Sequence, residues 1–84
     1  IDIKVAGGSG TSIISITVPY DDAKKDPFKL TVTVSDQAGT RTVISNESRN
    51  KADGPEEVQV EGLGSGTIKV YFDGTLVMTK AVVF

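Results

Sequence analysis

The chain has no cysteine, no histidine and no tryptophan among its 84 residues. Without cysteine there are no disulfide staples. Without cysteine and histidine together there is no Cys/His zinc site and no Ser-His or Cys-His nucleophile pair. Positive charge is also short: Lys plus Arg is 9 against 11 for Asp plus Glu, a net charge of −2. Nucleic-acid affinity rests largely on clustered positive charge, so no nucleic-acid partner is expected. Leucine occurs three times and methionine once. The longest apolar run is far too short to cross a bilayer, and no segment has the layout of a signal peptide. The chain opens on Ile1 rather than Met, which reads as a fragment of a longer protein. The lack of cysteine fits a Gram-positive exported protein and a cytosolic one equally well.

What is abundant points to strands. Eleven Val, seven Ile and nine Thr make 27 of 84 residues β-branched, and such side chains are stiff at χ1 and suit a pleated surface. A chain of this size buries roughly 60–65% of its extended surface on folding. With no crosslinks, its stability must come from apolar strand faces packed on one another.

Ile1, Ile3 and Val5 alternate with Asp2 and Lys4, a half-buried strand. Gly7-Gly8-Ser9-Gly10 reads as a flexible joint. Ser12 to Val18 is a second strand with Ile14, Ile16 and Val18 on one face, stopped by Pro19. After a charged loop from Asp21 to Pro27, Phe28, Leu30, Val32 and Val34 alternate with polar residues, the clearest period-2 pattern present. Asp36 to Gly39 reads as a turn and Thr40 to Ile44 as the partner strand. Residues 45–57 are almost entirely polar and read as a long surface loop carrying at most a weak edge strand. Val58 and Val60 mark a short strand, Gly62 to Gly66 a turn, and Ile68, Val70 and Phe72 another strand. Asp73-Gly74 signals a type I′ hairpin, which places Val70 opposite Val77 and Tyr71 opposite Leu76, with Thr75 to Val83 returning. About seven short antiparallel strands with turns at this spacing are the mark of an all-β fold, a small β-sandwich. The only helical candidate, Asp21 to Lys25, is too short to stand alone. Lys29, Lys69 and Lys80 are expected to guard exposed sheet edges.

Few residues offer chemistry. Gly62-Leu63-Gly64-Ser65-Gly66 and Gly7 to Ser12 superficially resemble phosphate loops, but a strand follows each, where a helix N-terminus would be needed. Asp21, Asp22 and Asp26 match no calcium loop and enclose Lys24 and Lys25, so a solvated loop is the reading, with no metal and no cofactor. Asn46-Glu47-Ser48 fits the glycosylation sequon, which matters only in a eukaryotic secretory protein. Phe28 and Phe72 fall on apolar strand faces and read as core. Tyr20 and Tyr71 are candidate surface contacts, although without basic neighbours they do not form a stacking platform. With no residue to activate a hydroxyl, the chain is not expected to be an enzyme.

Three segments resemble one family. They are Ile16-Thr17-Val18-Pro19-Tyr20-Asp21, the alternating strand Lys29 to Asp36, and Lys69-Val70-Tyr71-Phe72-Asp73-Gly74 followed by Val77 and Val82. Together they resemble the C-terminal extracellular immunoglobulin-like domain of Gram-positive PASTA-repeat membrane serine/threonine protein kinases. The resemblance spans roughly Ser12 to Phe84. Ile1 to Gly8 is similar to the last strand of a PASTA repeat, which would divide the chain into a strand and Gly/Ser linker over 1–10 and an immunoglobulin-like sandwich over 11–84. The family commonly closes on a Pro-Tyr pair, whereas this chain ends Val82-Val83-Phe84, and Asp53-Gly54-Pro55 has no counterpart in the pattern.

The resemblance implies a parent receptor kinase anchored in the plasma membrane, whose PASTA repeats sense peptidoglycan. This domain would be an extracellular, non-catalytic cap, spacer or cell-wall contact, monomeric in isolation. The residues also admit a generic adhesion or stalk module of a surface protein. A carbohydrate-binding module is a third reading, weakened by the absence of Trp.

Overall fold

The computed structural model describes residues 2–84. Seven strands form: β1 (Lys4–Gly7), β2 (Ile13–Val18), β3 (Phe28–Asp36), β4 (Gly39–Arg49), β5 (Glu56–Glu61), β6 (Ser65–Phe72) and β7 (Thr75–Val83). They build two antiparallel sheets, β1-β2-β5 and β4-β3-β6-β7. The fold is therefore an all-β, immunoglobulin-like sandwich. Unlike the constant-type arrangement, its fourth strand pairs with the third rather than the fifth.

Alternation along each strand builds the interior. Ile14, Ile16 and Val18 face Phe28, Leu30, Val32, Val34, Ile68, Val70 and Phe72 across the gap, all buried. Each such side chain contributes about 1.5–3 kcal/mol on leaving water. Stiff aliphatics on both inner faces thus replace the crosslinks the chain lacks.

Three local readings need correction. The polar stretch 45–57 is no long loop. β4 runs on to Arg49, a 3₁₀ turn covers Lys51–Asp53, and β5 starts at Glu56. The period-2 signal fails because β4 is an edge strand with register breaks between Leu30 and Thr33, and because Asn46 has a left-handed φ of 49°. Asn46 N–H donates to Thr31 Oγ1, which holds the bulge.

The Asp73-Gly74 hairpin forms with positive φ at both residues, 53° and 80°, and Tyr71 lies opposite Leu76 as expected. Val70, however, pairs with Met78 and not Val77. A bulge there shifts the parity of β7, which turns Met78 and Val82 into the core and leaves Val83 outside.

Gly7 to Gly10, expected as a flexible joint, is tied down. β1 pairs with β2, Ser9 N–H donates to Val83 O, and Gly10 N–H donates to Phe84 O. Ile3 is buried in the same core.

The domain measures 37 × 21 × 17 Å. Asp2 and Lys4 sit beside Pro19, Asp21 and Pro55 at one end. Phe84 sits beside Gly62 and Gly66 at the other. The first strand thus starts at the end opposite to the one where the last strand finishes.

Candidate functional site

At the end that holds Pro19, Tyr20 is buried, 3% exposed, with its ring edge-on to Phe28 at 4.9 Å and to Phe72 at 6.3 Å. It is not the surface contact expected of it. Packed against two phenylalanines, its ring is core, and its hydroxyl donates to Glu56. Glu56 in turn accepts from Arg49 Nε at 2.8 Å, and Arg49 also reaches Glu47 at 3.3 Å. β4 and β5 belong to different sheets, so the Arg49–Glu56 pair clamps the two layers. Burial pushes the Tyr20 phenol up and Glu56 adds to it. Burial also works to raise the Glu56 carboxyl, but hydrogen bonds from Arg49 and Tyr20 outweigh it and leave the group below its ordinary value.

A second clamp closes the far end. The Asp36 carboxylate is fully shielded from solvent. It takes Arg41 Nη1 and Nη2 at 2.9 and 3.1 Å, and the backbone N–H groups of Ala38 and Leu63, each at 2.9 Å. Arg41 Nη2 also donates to Glu61 O at 2.7 Å, again joining the sheets. Arg41 chiefly, with Leu63 and Ala38, holds the Asp36 carboxyl down at about 2. These four bonds satisfy the carboxylate, so the clamp is structural. No pattern in the sequence announces it, because Asp36, Arg41 and Leu63 meet only after folding. Around it lies a cleft of about 550 Å³ lined by Thr11, Ile13, Arg41, Glu61 and Leu63.

The other sequence candidates are dispersed. In the Gly62 to Gly66 segment only residues 62–64 form the turn, where Gly62 N–H donates to Ser12 O and Gly64 O accepts from Phe84, and β6 begins at Ser65. Among the described residues no group of three or more acidic side chains could hold a metal ion, and Asp21, Asp22 and Asp26 do not converge. Asn46 of the sequon is exposed at the β4 bulge.

Tyr71 behaves differently from Tyr20. With Val70 and Phe72 pointing inward, Tyr71 stands on the outer face of the four-stranded sheet, half-buried. The register puts Thr31, Tyr71 and Leu76 in one row across β3, β6 and β7. The next row is Thr42, Thr33, Lys69 and Thr79, and beyond it lie Thr40, Ser35, Thr67 and Ala81. Lys29 lies opposite Ser48 on the same face. Lys29 and Lys69 are therefore on central strands and guard no edge. Lys80 is on edge strand β7, where it pairs with Asp2 at 3.2 Å. Tyr71 does have basic neighbours, which only the cross-strand register reveals in full.

Comparison with known proteins gave no match: no family model fits the chain, no curated protein is similar to it, and no solved structure matches it.

Proposed function

We propose that this chain is a non-catalytic extracellular module that supplies reach and surface contact within a longer bacterial surface protein. The observation that carries the reading is that Asp2 and Lys4 lie at one end of the sandwich and Phe84 at the other. A sandwich strung this way transmits position in line, and the ion-pair clamps at both ends resist sliding of one sheet over the other. Neither clamp leaves a free reactive group, and four of the five aromatics are buried.

The finer reading is the outermost domain of a PASTA-repeat receptor kinase, capping repeats that sense peptidoglycan at the plasma membrane surface. It rests on the segments Ile16 to Asp21, Lys29 to Asp36 and Lys69 to Gly74. In line with it, β2, β3 and the β6–β7 hairpin occupy those segments. The in-line geometry equally suits a stalk or adhesion module unrelated to kinases. A carbohydrate-binding module built on several stacked aromatics is disfavoured by the burial of Tyr20, Phe28, Phe72 and Phe84.

The test is co-sedimentation of the domain with purified bacterial sacculi, combined with NMR titration by soluble muropeptides. Retention on sacculi with localised shifts supports a wall-contact module. No retention and flat shifts would reduce the proposal to a spacer.

A further inference from the structure

We infer that the outer face of the β4-β3-β6-β7 sheet is a binding surface for an acidic glycan, with Tyr71 as its stacking platform and Lys29 and Lys69 as its charge contacts.

The face is chemically unlike the rest of the molecule. Its inward-facing partners Leu30, Val32, Val34, Ile68 and Val70 are buried, so parity sends Lys29, Thr31, Thr33 and Ser35 of β3 and Thr67, Lys69 and Tyr71 of β6 outward. Edge strands add Thr40, Thr42 and Ser48 on one side and Thr79 on the other. The result is a lattice of hydroxyls broken by one aromatic ring and two ammonium groups, with the apolar Leu76, Ala81 and Val83 along the β7 edge.

Charge complementarity selects the sign of the ligand. No Asp or Glu stands among these outward strand positions; the one acid beside them is Asp73 in the β6–β7 turn, whose carboxylate accepts the Lys29 backbone N–H at 3.1 Å. Among the described residues Lys29 and Lys69 form no ion pair, as is also true of Lys4, Lys24, Lys25 and Lys51, whereas Arg41, Arg49 and Lys80 are paired. The opposite outer face is of mixed charge, with Glu57 and Glu61 facing out beside Thr17 and Ile13 and with Lys4 on the other side of Thr17. A net charge of −2 therefore hides a face of positive sign.

Composition selects the class of ligand. Protein interfaces concentrate aromatics, Met and Arg and are poor in Lys and Ser. This face has one aromatic, no Met and no Arg on its central strands, and is dominated by Thr and Ser. Such a surface matches a polyhydroxylated partner, whose hydroxyls exchange hydrogen bonds with Thr31, Thr33 and Thr79 while a ring lies on Tyr71. Lys69 sits two residues from Tyr71 on β6, and Lys29 two residues from Thr31, the cross-strand partner of Tyr71. The two ammonium groups thus flank the ring at a separation of about 14 Å along the strands, reckoned at about 3.4 Å per residue. That spacing suits acidic groups distributed along an oligosaccharide better than a single compact anion.

This inference rests on the contact-module reading and names its surface, so the test separates the two. ¹⁵N-labelled domain is titrated with oligogalacturonate, which carries a carboxylate on every ring, with neutral dextran, and with single-stranded DNA. Oligogalacturonate is expected to shift the amides of Thr31, Thr33, Lys69, Tyr71 and Leu76, dextran to shift them far less, and DNA to bind no better than dextran. Tyr71→Ala is expected to weaken oligogalacturonate binding by about tenfold, as for loss of a stacked ring. Lys29→Gln with Lys69→Gln should remove its salt dependence. All three side chains are outside the core, so the ¹⁵N spectrum of each variant checks that the fold is intact. Absence of shifts, shifts confined to other surfaces, equal shifts with dextran, or equal binding of DNA would each overturn the inference. If wild type and Tyr71→Ala co-sediment equally with sacculi, this face is wrong while the contact module stands.

Discussion

Glu56→Gln is the sharpest probe of the clamp at the Tyr20 end. The substitution keeps the shape and an acceptor for the Tyr20 hydroxyl but removes the charge that Arg49 and Tyr20 both serve. The Glu56 side chain is 24% exposed, and so is that of Arg49. The interaction therefore lies between a surface pair, worth up to about 1 kcal/mol, and hydrogen bonds to a charged group at about 1.5–3 kcal/mol. Glu47 remains as a second acceptor for Arg49 at 3.3 Å, which limits the loss. The expected cost is about 1–2 kcal/mol at neutral pH. For a domain of this size that corresponds to a fall in Tm of about 4–16 °C.

The pH dependence gives the prediction its specificity. The folded-state pKa of Glu56 lies below the ordinary value of 4.5. Its stabilisation is therefore complete above that value and is lost as pH falls through the lower folded one. The gap between wild type and Glu56→Gln should be full at pH 7 and smaller at pH 2, since protonation of the wild-type carboxyl removes the charge that distinguishes the two. Asp36 titrates in the same acid range in both proteins and cancels in the difference. Urea denaturation followed by circular dichroism at the two pH values measures it. No gap at pH 7, or a gap of equal size at pH 2, would refute the clamp.

Other outcomes follow from the same structure. Leu30→Ala empties a fully buried site between the sheets and should cost about 2–5 kcal/mol in denaturant titration. A Cβ on Gly62 would sit 2.5 Å from the Phe84 ring, so Gly62→Ala should lose about 1–3 kcal/mol through overpacking, read in the same assay. Asp36→Asn should destabilise the domain at pH 7, and the deficit should persist through pH 4 because the wild-type group stays ionised until about 2. Deleting Val77 should leave a folded domain, since Met78 keeps its place opposite Val70. Deleting Thr79 should destabilise it, since Val83 would take the place of Val82 and Phe84 would be drawn one position out of its buried site; ¹⁵N spectra distinguish the two.

The strands with strict alternation, above all Phe28 to Val34, were readable because one face of each is buried and the other is wet. The Asp73-Gly74 turn was readable because its backbone demands positive φ. What escaped was set by contacts distant in sequence. The polarity of Glu47, Ser48 and Arg49 masks an edge strand, because an edge needs few apolar residues. The bulge at Val77 is invisible in a run where Leu76, Val77 and Met78 are all apolar and any of them could face inward. Tyr20 was misplaced because its acceptor, Glu56, lies 36 positions away. The outer face followed the opposite course. Each of its threonines was visible as the polar half of a strand, but only the register across β4, β3, β6 and β7 assembles them beside Tyr71.

The claim that this domain provides reach is tested most directly by inserting one copy between two folded reporter domains and measuring the distance between them by small-angle scattering. In-line geometry predicts that the separation grows by close to the 37 Å long axis. A separation no greater than the 17–21 Å of the short axes, with the reporters side by side, would contradict it.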